Sequence, residues 1–213
     1  MQVKNIIFDL GGVILNIDYQ KTIDAFKQLG IKNFDVLFTQ AKQELLFDRY
    51  EKGEISSNEF ISHLQNKFSE NINKATIKDA WNAMLLDLPN ERLNLLNNIK
   101  SNYNTALLSN TNEIHLDAFH EIIQKENVIE DLNPYFDEVY FSCRMNMRKP
   151  DPEIFKKVCQ NRSYTPNETL FIDDSIQHVE GAQKAGLFAI HLENKSILDL
   201  FNENYFLKEG ILS

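Results

Sequence analysis

No run of lysines and arginines occurs anywhere in the chain, and 22 basic residues are outnumbered by 31 acidic ones, for a formal charge of −9. A nucleic-acid backbone needs a basic surface, so this balance argues against such a partner. It leaves room for a small phosphorylated molecule, whose charge a metal ion and one or two cations can handle locally. Cysteine is scarce. Cys143 and Cys159 stand in unrelated contexts without metal-ligand spacing and read as reduced structural residues of a cytoplasmic protein. The apolar stretch Ile6-Ile7-Phe8 near the N-terminus is too short for a membrane span, and no small-residue cleavage site follows it. His63, His115, His120, His178 and His191 also lack metal spacing and read as surface or satisfied structural residues. Neither an internal repeat nor a low-complexity segment is found. What remains is an ordinary apolar and charged composition over 213 residues, enough for one sizeable core with a modest insertion.

Short apolar runs recur along the chain and stop at polar residues. Val3 to Phe8 ends at Asp9, before Gly11-Gly12; Thr105 to Leu108 ends at Ser109-Asn110; Glu138 to Phe141 ends at Ser142. Thr169 to Ile172 ends at Asp173-Asp174, and Phe188 to Ile190 closes the series. Nearly unbroken apolar strands of this length belong to parallel sheets covered on both faces. Helical patterns separate them: Glu91 to Ile99 after Pro89, the stripe Leu116, Phe119, His120 and Ile123, Pro152 to Val158, and Val179 to Ala185 before Gly186. Alternation of this kind predicts βαβ units and a Rossmann-like, doubly wound α/β sheet.

One stretch breaks the rhythm. From Asn16 to Asp87 only helical patterning is found: Asp18 to Leu29, Phe34 to Tyr50, a capping box at Ser56 to Glu59 before Phe60, and Ala75 to Leu86 with Trp81 on its apolar side. The expected organisation is an α/β core of residues 1–15 and 88–213, with residues 16–87 inserted as a helical cap.

In open α/β sheets the ligand lies beyond the carboxyl ends of the strands. Asp9, Ser109-Asn110 and Asp173-Asp174 all fall there, and Lys149, just before Pro150, is placed to point the same way. Carboxylates suit Mg²⁺, a hydroxyl and an ammonium suit phosphoryl oxygens, and a carboxylate nucleophile splits hydrolysis into two easier steps.

Four segments, in order, resemble the motifs of the haloacid dehalogenase-like hydrolase superfamily: Phe8-Asp9-Leu10-Gly11-Gly12-Val13, Leu107-Leu108-Ser109-Asn110, Arg148-Lys149-Pro150-Asp151-Pro152, and Phe171-Ile172-Asp173-Asp174-Ser175 followed by Val179-Glu180-Gly181-Ala182. The match covers nearly the whole chain and has the family's helical insertion after the first motif. The resemblance implies a Mg²⁺-dependent phosphatase acting on a small phosphorylated metabolite, such as a sugar phosphate, through an aspartyl-phosphate on Asp9, with no obligate protein partner. It assigns Asp9 and Lys149 to catalysis, and Ser109, Asn110 and Lys149 to the phosphoryl group. It assigns Asp9, the Gly11 carbonyl, Asp173 and Asp174 to the metal.

Gly11 departs from the pattern. Phosphatases of the family usually carry there a second aspartate, which protonates the leaving group and then activates water. General acid–base help is commonly worth about 10²–10⁴ in rate. The subgroup that resembles bacterial α-D-glucose-1-phosphate phosphatase shares the Asp-Leu-Gly start. Two rival readings follow: a non-catalytic protein that binds a phosphorylated ligand on a disabled scaffold, and a metal-free haloacid dehalogenase. The acidic pair Asp173-Asp174 counts against the second, because it needs a balancing cation. Asp18 reads as a helix N-cap rather than a substitute acid, and Arg49 as an exposed helix-end cation or a substrate contact.

Overall fold

The computed structural model describes residues 2–36, 45–68, 72–193 and 195–212. Strands β1 (Asn5–Phe8), β2 (Asn104–Ser109), β3 (Glu138–Phe141), β4 (Thr169–Asp173) and β5 (Phe188–His191) form one parallel sheet of order β3-β2-β1-β4-β5. Each expected apolar run is a strand. The three central ones are almost wholly buried, whereas β3 and β5 lie at the edges and are part-exposed, so cover on both faces is complete only at the centre.

Side chains alternate across β1 with the period of two that a strand imposes. Ile6 and Phe8 join Leu107 and Ile172 on one face, against Leu93, Leu96 and Ile99 of α5 (Asn90–Ile99) and Leu116, Phe119 and Ile123 of α6 (Glu113–Glu126). Ile7 joins Ala106, Leu108 and Phe171 on the other face, against α8 (Pro152–Arg162) and α9 (Ile176–Lys184), while the single-turn α7 (Ser142–Met145) follows β3. The chain winds outward from β1 to β3, then crosses back to β4 on the other side of β1. That reversal opens a crevice at the carboxyl ends of β1 and β4.

Between β1 and β2 come α1 (Tyr19–Gln28), α2 (Leu46–Glu51), α3 (Ser57–Phe68) and α4 (Lys74–Asn82). They share a separate apolar cluster in which Phe60 stacks on Tyr50 with ring centroids 4.2 Å apart and lies 5.1 Å from Trp81. Asp18 caps α1 by accepting from the Gln20 amide, and Ser56 and Glu59 form the capping box before α3. Two helix expectations need correction. Phe34 to Tyr50 is not one helix: Leu45 adopts a left-handed φ of 60°, so α2 starts afresh behind it, while residues 37–44 lie outside the described residues. The last helix stops at Asn82 rather than Leu86, because the chain beyond it pairs with the outgoing segment. Asn16 N donates to Asp87 O, Leu86 N to Asn16 O and Asp18 N to Met84 O, so the two connections run antiparallel.

Cys143 and Cys159 are buried and free. Among the described residues no helix is long and apolar enough to cross a membrane.

Candidate active site

Asp9 directly follows β1; its amide donates to Ile172 O of β4 at 3.0 Å, and its Oδ1 accepts from Leu10 N at 2.7 Å. The fully buried Lys149 lies between two carboxylates, its Nζ 2.7 Å from Asp9 Oδ1 and 2.7 Å from Asp173 Oδ2. Asn110, just past β2, holds this lysine by its backbone: Nδ2 donates to Lys149 O and Oδ1 accepts from Lys149 N, both at 2.9 Å. Asp173, wholly buried, accepts from Ser175 N at 2.8 Å and from His178 Nδ1 at 3.0 Å. Asp174 instead turns to the crevice and lies against Gly12. A Cβ on Gly12 would collide with its carboxylate, and the Gly12 φ of 74° is itself one that side chains resist.

Electrostatics sort the acids. Burial and the neighbouring Asp173 push the Asp9 carboxyl well above the usual range, against the pull of Lys149. Burial would raise Asp173 too, but Lys149 and His178 outweigh it and hold that carboxyl far below its ordinary value. Asp174 is raised by burial and by Asp173. Burial opposes the Lys149 ammonium, yet Asp173 and Asp9 keep it charged. Three carboxylates thus crowd around one lysine. Such a set of hard oxygens, short of positive charge, fits a divalent cation such as Mg²⁺.

A cavity of about 500 Å³ opens in front of this cluster. Asp9, Gly11, Asn110 and Asp174 line its sheet side; Tyr19, Phe47, Asp48, Glu51 and Trp81 line it from α1, α2 and α4. Ser109 is buried at the end of β2 and is not among the lining residues. A larger hollow of about 590 Å³, running along the β3 edge between Phe119 and Arg144, contains none of the acidic set.

His178, Asp48 and Glu51, which the sequence did not mark, now stand at the site, as does Arg148, which it marked only as the neighbour of the motif lysine. His178 belongs to the acidic cluster with Asp9 and Asp173, and its only sequence signal is a place five residues beyond Asp173. Arg148 reaches α2, with Nη1 2.7 Å from Asp48 Oδ1 and Nη2 2.8 Å from Glu51 Oε2. Arg49, by contrast, is half-exposed and pairs with Glu54, as a helix-end cation does. Arg144 is likewise exposed, paired with Glu113.

A doubly wound parallel sheet with an acidic, lysine-bridged centre at its switch point defines a Rossmann-like α/β protein. The chain belongs to the haloacid dehalogenase-like hydrolase family, whose model matches residues 3–186. It is 31% identical over 193 residues to a D-ribitol-5-phosphate phosphatase of Bacteroides thetaiotaomicron, covering 90% of this chain and 93% of that protein. A haloacid dehalogenase family enzyme of the same organism, solved with magnesium and inorganic phosphate, superposes with a TM-score of 0.83 at 34% identity, covering 94% of this chain and all of that one. An L-2-haloacid dehalogenase of Xanthobacter autotrophicus, at 20% identity, TM-score 0.60 and coverage of 93% and 81%, shares the fold alone.

Proposed function

We propose that the protein is a Mg²⁺-dependent phosphatase of a small sugar or polyol phosphate, with Asp9 as nucleophile. The observation that carries this reading is the Asp9 carboxylate at the cavity wall, bridged by Lys149 to Asp173 at the β1–β4 crevice. Asp9, Asp174 and the Gly11 carbonyl would hold the metal, with Asp173 as a further ligand directly or through water. Bound there, Mg²⁺ supplies charge that offsets the carboxylates and the developing phosphoryl charge.

Asp9 attacks phosphorus and forms an acyl phosphate as the P–O bond to the alkoxide breaks, the alkoxide taking a proton from solvent; water then attacks phosphorus, freeing phosphate and the Asp9 carboxylate and returning a proton to solvent. Two Lys149 N–H groups face Asp9 and Asp173, and the third serves the phosphoryl oxygens together with the Ser109 hydroxyl. Asn110, with both amide atoms on the Lys149 backbone, contributes by holding that lysine in place. Residues 16–87 act as the cap that excludes water from the reacting ester. The relative that acts on D-ribitol 5-phosphate supports a polyol or sugar ester of a primary alcohol over a sugar 1-phosphate.

The missing acid has a structural counterpart. A Cβ at Gly11 would lie 3.2 Å from Ile17 Cδ1, so an aspartate there would need the end of the Ile17 side chain to give by a few tenths of an ångström. The absence of an acid at Gly11 is what favours the second reading, a phospho-ligand-binding protein without turnover.

Phosphate release from a panel of polyol, sugar and nucleotide phosphates separates the two. Metal-dependent release that Asp9→Asn lowers by about 10⁴-fold or more is expected. Saturable binding with no release above the Asp9→Asn background would establish the binding protein instead.

A further inference from the structure

The leaving-group side of the cavity carries an unusual charge arrangement. Asp48 and Glu51 are three apart on α2 and therefore share a face. Both are turned to Arg148, which the chain places one residue before Lys149. Lys52 takes the other Asp48 oxygen, Nζ to Oδ2 at 2.7 Å. Arg148 is the one lysine or arginine among the described residues that line the cavity, and two carboxylates hold both its arms. Asp48, Glu51 and Arg148 line the cavity and Lys52 does not, so this wall presents two carboxylates against one cation. Each carboxylate oxygen of Asp48 carries a second lone pair beyond its bond to Arg148 or Lys52, which can accept from a hydroxyl.

We propose that Asp48 and Glu51, by occupying Arg148 and lining the cavity with carboxylate, restrict the substrate to phosphate esters of neutral polyhydroxy alcohols and reject those whose far end carries a second anion. The selection rests on the reading that the phosphoryl end docks at Asp9. A carboxylate or second phosphate entering here meets Asp48 and Glu51 and finds both terminal nitrogens of Arg148 taken and its Nε buried, whereas a hydroxyl finds an acceptor. Rejection of this kind is repulsion built against the wrong ligand rather than added affinity for the right one.

A matched pair of ligands tests it: a pentitol 5-phosphate and the aldonic acid 5-phosphate of the same length, which differ only in CH₂OH against COO⁻ at the far end. Titration calorimetry on the Asp9→Asn protein with Mg²⁺ reads binding without turnover. The pentitol ester is expected to bind about 10- to 100-fold more tightly. Adding Glu51→Gln should release one arm of Arg148 and shrink that ratio at least about fivefold, with inorganic phosphate binding unchanged as the check on folding. Asp48→Asn should act in the same direction. Equal affinities for the two esters, a ratio that Glu51→Gln and Asp48→Asn leave unmoved, or no binding of either ester would overturn the proposal. Parallel turnover assays on the wild type separate it from the phosphatase reading. Binding selection without phosphate release sinks only that reading, and release from both esters at equal kcat/KM sinks only the selection.

Discussion

Lys149 holds a position that few lysines can keep. Its ammonium is wholly buried, and the carboxylates of Asp9 and Asp173 on either side supply what burial removes. Removing one member of such a set leaves the others as uncompensated buried charges, at a cost of about 3–5 kcal/mol. Lys149→Met should therefore lower the melting temperature markedly and abolish phosphate release. Asp9 can absorb part of the cost by taking a proton, since burial and Asp173 already push its carboxyl upward. Mg²⁺ should raise the melting temperature of Lys149→Met more than that of the wild type, because only in the variant is the metal the sole nearby cation. Thermal unfolding with and without Mg²⁺ checks this, and a variant that melts with the wild type would show that the pair does not hold the crevice together.

At the scale of elements, the placement of Lys149 depends on helix α9. Its Gly181 lies flat against Pro150, and a Cβ there would collide with the Pro150 carbonyl oxygen. Alanine ordinarily gains about 1 kcal/mol over glycine inside a helix. Here the overlap is with backbone, which has no flexible end to move aside, and overpacking of that sort costs about 1–3 kcal/mol. Gly181→Ala should accordingly destabilise the fold by about 1–2 kcal/mol and reduce kcat more than KM, because the Lys149-Pro150 segment shifts. A stabilised variant with full activity would show that α9 can slide freely. Strands and their terminal acids were legible in the sequence because a buried parallel strand has to be apolar and the ligand side of an open α/β sheet lies where its strands end in polar residues. The division of labour between Asp173, bound to Lys149 and His178, and Asp174, facing the cavity, was not legible: identical neighbours differ only in which way the chain turns. Arg148 meeting Asp48 and Glu51 across about a hundred residues was equally hidden, since it arises only when α2 docks on the core. The helix break at Leu45 left no trace either, because a left-handed φ there comes without glycine.

Across the whole molecule, one of the contacts between the helical segment and the core is made by a histidine, beside those of Arg148 with Asp48 and Glu51 and of Tyr50 with Ile114. His115, in the first turn of α6, stacks on Trp81 of α4 with ring centroids 4.9 Å apart, and its Nε2 donates to Trp81 O at 3.2 Å. Its Nδ1 faces Asn112 Nδ2 at 3.2 Å and serves as the acceptor, which fixes a neutral ring. Burial pushes its pKa down from 6.5 to about 4, and the Trp81 carbonyl only partly offsets this. The unfolded chain thus takes up a proton below about pH 6.5 that the folded chain refuses until about pH 4. Stability contributed by the neutral ring is complete above pH 6.5 and is lost as the pH falls through that window. Because the ring is only part-buried by exposed area, the contribution is about 2 kcal/mol between pH 7 and 4.5 rather than the full value of the shift. Other groups titrate over the same range, His178 among them, so the comparison has to be with a variant. His115→Gln keeps a donor for Trp81 O and removes the titration. Denaturant unfolding of both proteins at pH 7, 5.5 and 4.5 should show the wild type losing about 2 kcal/mol more than His115→Gln, with the difference confined to the two lower steps. Parallel losses in the two proteins would mean that His115 is protonated in the folded state without disturbing the Trp81 contact, and that α4 and α6 stay docked at acid pH by apolar packing alone.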